Sequence, residues 1–108
     1  MAEYKKSIIN NTNYPAQVSL LMRHSDDLTL VAEQLDITVP PKTTQVVTLP
    51  SYGSLPFVNG VIAELSDRHA VHTIVRRKGD ANDDLLNTHD TLTIALELDK
   101  ATLTGSNH

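Results

Sequence analysis

The sequence predicts an all-β domain, an antiparallel β-sandwich of about seven or eight strands with immunoglobulin-like architecture. Three observations lead there. Apolar and polar residues alternate with a period of two along most of the chain, clusters of turn-forming residues interrupt that alternation at short intervals, and the composition favours strands. Hydrophobic residues make up 40% of the 108 but aromatics only 4%, so the interior has to be built from Val, Leu and Ile, with Thr supplying further strand-favouring side chains. With no Cys and no Trp, the chain lacks the Cys-Trp-Cys core of antibody domains, so immunoglobulin-like describes layers and not ancestry.

The elements follow in order. Glu3 to Ile9 reads as a short first strand, and Asn10-Asn11-Thr12-Asn13 as a turn that would fold it into a hairpin with the next. From Tyr14 to Arg23, Val18, Leu20 and Met22 fall on one face and Gln17, Ser19 and Arg23 on the other. Pro15 lacks an amide donor and belongs at a strand start or on an edge, and with Lys5 and Lys6 it reads as edge protection for the N-terminal hairpin. Residues 25–35 fit a strand through Leu28 and Leu30, or a helix through Leu28, Val31, Ala32 and Leu35; the strand is preferred.

Leu35, Ile37 and Val39 then alternate with Asp36 and Thr38, Pro40-Pro41 makes a corner, and extended structure resumes from Gln45 to Leu49. Beyond the Pro50–Phe57 loop comes a strand from Val58 to Ser66 with Val61, Ala63 and Leu65 on one face. Asp67-Arg68 turns the chain, Ala70 to Lys78 returns it, and Gly79 to Asp90 reads as an acidic loop. In the strand from Thr91 to Leu98, Leu92, Ile94, Leu96 and Leu98 are expected to face inward and Thr91, Thr93 and Glu97 outward. A single sandwich domain over 1–100 is expected, with 101–108 a flexible C-terminal tail.

Charge and composition narrow the function classes. Thirteen acidic against nine basic residues give a net charge of −4, which disfavours phosphate backbones and anionic membranes, so no nucleic-acid partner is expected. No run approaches the roughly 20 apolar residues of a transmembrane segment, and Met1 to Lys6 reads as a cytoplasmic start, a secreted form with a removed signal being the alternative. The absence of Cys removes thiol nucleophiles and thiolate metal sites.

Each candidate site competes with a plainer role. His69 and His72, three apart on a strand, would point to opposite faces and so could not chelate one ion; His24, His89 and His108 are scattered, and no metal or other cofactor is expected. Asp80, Asn82 and Asp84 match the first, third and fifth ligand positions of a calcium loop, but Leu85 stands where Gly is needed and Thr91 where Glu should close the shell. A solvated turn facing Arg76, Arg77 and Lys78 explains that segment better. Ser66, Asp67 and His69 crowd one turn and make no preorganised triad, and no G-x-S-x-G is present. Asn10-Asn11-Thr12 formally matches a glycosylation acceptor, but turn formation accounts for it.

The segment Pro50-Ser51-Tyr52-Gly53-Ser54-Leu55-Pro56-Phe57 holds two of the four aromatics between residues that stiffen a loop. Tyr52, Leu55 and Phe57 are therefore the candidate binding residues, the plainer reading being that Leu55 and Phe57 plug the end of the sandwich under Tyr52. These readings favour a non-enzymatic binding or assembly module whose partner is another protein or a second copy in a homodimer. A small metal-dependent or His/Asp hydrolase and a secreted sugar- or membrane-binding sandwich are the alternatives.

Overall fold

The computed structural model describes residues 4–23, 31–49, 57–66, 69–75 and 79–107. Among these residues eight strands and one short helix follow one another as β1 (Tyr4–Asn10), β2 (Ala16–Arg23), β3 (Val31–Val39), β4 (Thr43–Leu49), β5 (Phe57–Leu65), β6 (Ala70–Ile74), α1 (Ala81–Asn87), β7 (Thr91–Glu97) and β8 (Lys100–Ser106). Two four-stranded sheets pack together, one ordered β4-β1-β7-β8 and the other β3-β2-β5-β6. The predicted all-β sandwich is thus present. Its pairings are antiparallel except for β1 with β7, which run parallel.

Alternation builds the core as the sequence implies. Val18, Leu20 and Met22 of β2, Val61, Ala63 and Leu65 of β5, and Leu92 and Ile94 of β7 are all buried between the sheets. At roughly 1.5 to 3 kcal/mol for each large aliphatic side chain removed from water, this aliphatic layer is the main force holding the sheets together.

Several expectations are corrected. No hairpin joins the first two strands: β1 pairs with β4 and β7, and residues 11–15 carry the chain from one sheet to the other. The Asn10 side chain makes that crossing. Its Nδ2 donates to Tyr14 O at 2.7 Å and Val39 O at 3.0 Å, and its Oδ1 accepts from Thr12 N and Thr12 Oγ1. A carboxamide satisfying buried backbone at this corner explains why Asn10 is itself buried. Because β1 is an interior strand, Lys5 and Lys6 do not guard an edge; β4, β8, β3 and β6 are the edges.

The segment read as an acidic loop contains α1. Asp80 is its N-cap, Oδ1 accepting from Asp83 N at 2.8 Å, and Asp83 and Asp84 place negative charge in the first turn, where the helix dipole favours it. Leu86 is fully buried and holds the helix to the sandwich.

Residues 101–106 of the expected tail form, with Lys100, strand β8, paired with β7 from Thr91 opposite Ser106 to Glu97 opposite Lys100. The hairpin between them turns on Leu98 and Asp99, with φ of 50° and 62°. Two consecutive positive φ values are the mark of a type I′ turn, whose twist matches that of the strands. Leu98 consequently projects fully into solvent and does not join the inward row of Leu92 and Ile94.

Candidate functional site

The α1 end of the sandwich is where strand ends and buried charge come together. β2 ends there at Arg23, β3 begins at Val31, β5 begins at Phe57 opposite Arg23, and β6 ends at Ile74. The chain therefore leaves and re-enters the β3-β2-β5-β6 sheet repeatedly at this end, and β5 is the strand that the Tyr52 and Leu55 segment leads into. Tyr52 and Leu55 lie outside the described residues, and of Phe57 the backbone alone is described, as the first residue of β5.

Beneath that entry lies a polar cluster. Alternation puts Arg23 on the outer face with Gln17 and Ser19, yet it is completely buried, as is Met22 before it. The register shifts fall here: β5 carries an extra residue, Asn59, between the partners of Leu21 and Met22, and β3 carries Ala32 between the partners of Met22 and Arg23, so Val58 and Asn59 are both buried and Asn59 meets the arginine at the strand end. The Arg23 guanidinium donates from Nη2 to Asp83 Oδ1 at 3.1 Å and from Nη1 to Asn59 Oδ1 at 3.5 Å. Asp83 in turn accepts from Asn87 Nδ2 at 2.7 Å and, through Oδ2, from Gly79 N at 2.8 Å.

The helix is sewn to the sheet on either side of this pair. Asn87 bonds both backbone groups of Val58, and Asn82 Nδ2 donates to Ile74 O at 2.9 Å. Val75 N donates to Asn59 O at 2.9 Å. Asp80, Asn82 and Asp84 thus do not converge as calcium ligands: Asp80 caps the helix, Asn82 ties down β6, and Asp84 is exposed. Asp83, the residue between the latter two, carries the ion pair with Arg23. Arg76, Arg77 and Lys78 lie outside the described residues.

Lys6 completes the arrangement from the other sheet. It is buried, in phase with Ile8, and its ammonium donates to Leu86 O and, at 2.7 Å, to His89 O. A cation at the C-terminal carbonyls of α1 complements the helix dipole, and no basic residue in the helix's own last turn does so. Burial lowers the Lys6 pKa from 10.5 to about 8, the nearby Asp90 carboxylate working against the fall.

The described histidines stay apart. The His69 carbonyl accepts from Leu65 N, His72 is exposed on β6 opposite Ile62, and His89 Nδ1 lies 3.2 Å from Leu85 O with its ring against Gly105. His24, Asp67 and His108 lie outside the described residues. Among the described residues no three of His, Cys, Asp and Glu gather as a metal site would require, and no helix is long and apolar enough to cross a membrane.

Arg23 and Asn59 escape sequence reasoning because a β-bulge has no reliable sequence signature, and Asp83 and Asn87 because the segment that forms α1 reads as a loop. Lys6 carries a usable signal, since it shares a face with Ile8 by simple alternation.

No family model matches the chain, and no curated protein does. It superposes on the solution NMR structure of a protein from Eubacterium rectale with a TM-score of 0.62 and 12% identity, over 98% of this chain and 90% of that one. At that identity the likeness shows the fold alone. Two chains that share so few residues yet superpose over nearly their whole lengths share an arrangement of strands, and function has to be argued from the side chains.

Proposed function

We propose that the protein is a non-enzymatic binding or assembly module that recognises a protein partner at its α1 end, with Tyr52, Leu55 and Phe57 as contact residues. The observation that carries this reading is the buried clamp of Arg23, Asp83, Asn87 and Asn59, which joins the start of β5 to α1. Recognition loops work best on a scaffold that does not yield, because ordering the loop then costs less when it binds. Here the strand that receives the 50–57 segment is fastened at Val58 to a helix and is paired at Phe57 with a buried arginine. The aromatic residues of that segment are of the kind that dominate binding energy in protein interfaces.

Affinity capture with the wild-type chain and with a Tyr52→Ala/Leu55→Ala variant tests it, circular dichroism confirming that both are folded. Specific partners retained by the wild type and lost by the variant support the reading. An identical partner profile overturns it. A control variant, Gln34→Ala on the outer face of the β3-β2-β5-β6 sheet, is expected to keep every partner.

A further inference from the structure

We infer that the outer face of the β4-β1-β7-β8 sheet is a self-association surface, packing against the same face of a second copy. This deepens the assembly half of the proposed function and is independent of its loop half.

The register places the outward residues of this sheet in rows. Inward positions are marked by buried Ile8, Val47, Leu92 and Ala101, so their chain neighbours point out. One row crosses the four strands as Val46, Ser7, Thr91 and Ser106, with Thr91 buried between its neighbours and bonded to Asp90. The next crosses as Thr44, Ile9, Thr93 and Thr104. Neither row carries a charge, although charged residues make up 20% of the chain. Val46, at 59% exposure, is one of three large hydrophobic residues left open to water among those described.

The opposite sheet provides the contrast. Along β2 and β3 its outer face bears a solvated polar ladder in which Ser19 and Gln34 both donate to Asp36 Oδ1, at 2.7 and 2.8 Å, and Thr38 donates to Gln17, while Leu21 and Ile74 pack over Gly60 further along the sheet. Those bonds, from Gln34 first and Ser19 second, hold the Asp36 carboxyl below its ordinary pKa. The β2–β3 half of the face is finished with water. The Ser/Thr/Val/Ile rows hold no carboxylate to anchor a ladder of that kind, and their short side chains would interdigitate with a second twisted sheet at the ~10 Å spacing of aligned sandwiches.

A second copy fits better than a dissimilar partner for two reasons. Four strands about 4.8 Å apart and about seven residues long make a plane of about 20 by 23 Å, which side-chain relief and rim extend towards the roughly 600 Å² per partner at the lower end of stable interfaces. The charges at the ends of the face are also self-complementary. Lys5 lies at one end of β1, and Glu97, beside Lys100, at the opposite end of the neighbouring β7. A two-fold axis lying across the strands near Ile9 and Thr93 brings Lys5 of each copy to Glu97 of the other, the isologous pattern of a C2 dimer.

Sedimentation velocity over a concentration series tests this with the wild type, Val46→Glu, Thr104→Glu and, as a control on the other sheet, Thr38→Lys. The wild type is expected to dimerise, each face variant to weaken the dimer by about tenfold or more while its circular dichroism is unchanged, and Thr38→Lys to leave it intact. A monomeric wild type at millimolar concentration overturns the inference. So does a dimer that survives both face variants, which would place the contact elsewhere on the domain. Tyr52→Ala is included as well: loss of the dimer in that variant and not in the face variants would move self-association to the loop end, overturning this inference while leaving the loop reading standing.

Discussion

The side-chain amide of Asn87 pairs with the backbone of Val58 as a neighbouring strand would: its Oδ1 accepts from Val58 N at 2.7 Å and its Nδ2 donates to Val58 O at 3.0 Å. One residue of α1 thus closes the hydrogen bonding at the start of β5. Asn87→Ala leaves two backbone groups of a buried residue without that partner and is expected to lower stability by about 1 to 3 kcal/mol, read from urea unfolding. Asn87→Asp cannot donate to Val58 O and sets a second carboxylate beside Asp83, so it is expected to cost at least as much.

Arg23 and Asp83 form an ion pair in which the arginine is wholly removed from solvent. Removing one partner strands a buried charge. Asp83→Ala is expected to destabilise the domain by about 3 to 5 kcal/mol, whereas the double replacement Arg23→Met/Asp83→Leu, which removes both charges, is expected to be more stable than Asp83→Ala alone. A double-mutant cycle in denaturant checks the order.

Lys6 makes stability depend on alkaline pH. Folding lowers its pKa from 10.5 to about 8, so below pH 8 folded and unfolded chains are both protonated there and the cost of burying the charge is fully present. Between pH 8 and 10.5 the folded chain loses the proton first. The unfolded state then binds more protons, and stability from this group rises with pH, by about 3 kcal/mol across the window. Denaturant midpoints measured from neutral pH up to the ordinary lysine pKa should show this increment in the wild type relative to Lys6→Met, in which it is absent.

The turn at Leu98 and Asp99 holds two non-glycine residues in the left-handed region. Leu98 is fully exposed and contributes no packing. The double replacement Leu98→Asn/Asp99→Gly installs the favoured type I′ sequence and is expected to raise stability by about 1 to 2 kcal/mol with the β7–β8 pairing unchanged. Thermal unfolding of that variant measures it.

Alternation makes the layers of this fold legible, because a strand with one greasy side has one way to face the core; Val18, Leu20 and Met22 need nothing else. Strand order is not legible, since Asn10 to Asn13 looks the same whether it closes a hairpin or crosses between sheets, and only the distant Val39 carbonyl decides. The β7–β8 turn is hidden for a local reason. Leu-Asp carries none of the Asn-Gly signature of its turn type, so alternation alone counts Leu98 into the inward row and leaves β8 looking like a tail. Helix α1 is masked by its own polar residues, Asp80, Asn82 and Asp84 looking like cation ligands when Asp80 caps the helix and Asn82 bonds to Ile74 O. Of the candidate site, Tyr52, Leu55 and Phe57 stand out by their chemistry, while the clamp at the start of β5 depends on a bulge that brings Asn59 to the buried end of β2 at Arg23.

The most direct measurement of recognition at the α1 end is amide chemical-shift mapping of the isotope-labelled chain as the partner captured by the wild type is added. Shifts confined to Tyr52, Leu55 and Phe57 and to the residues of the clamp, Arg23, Val58 and Asn87, are the expected result. Shifts centred instead on the Asn10–Tyr14 corner or on the Ser19–Asp36 face, with the Val58 and Asn87 amides unmoved, would contradict it.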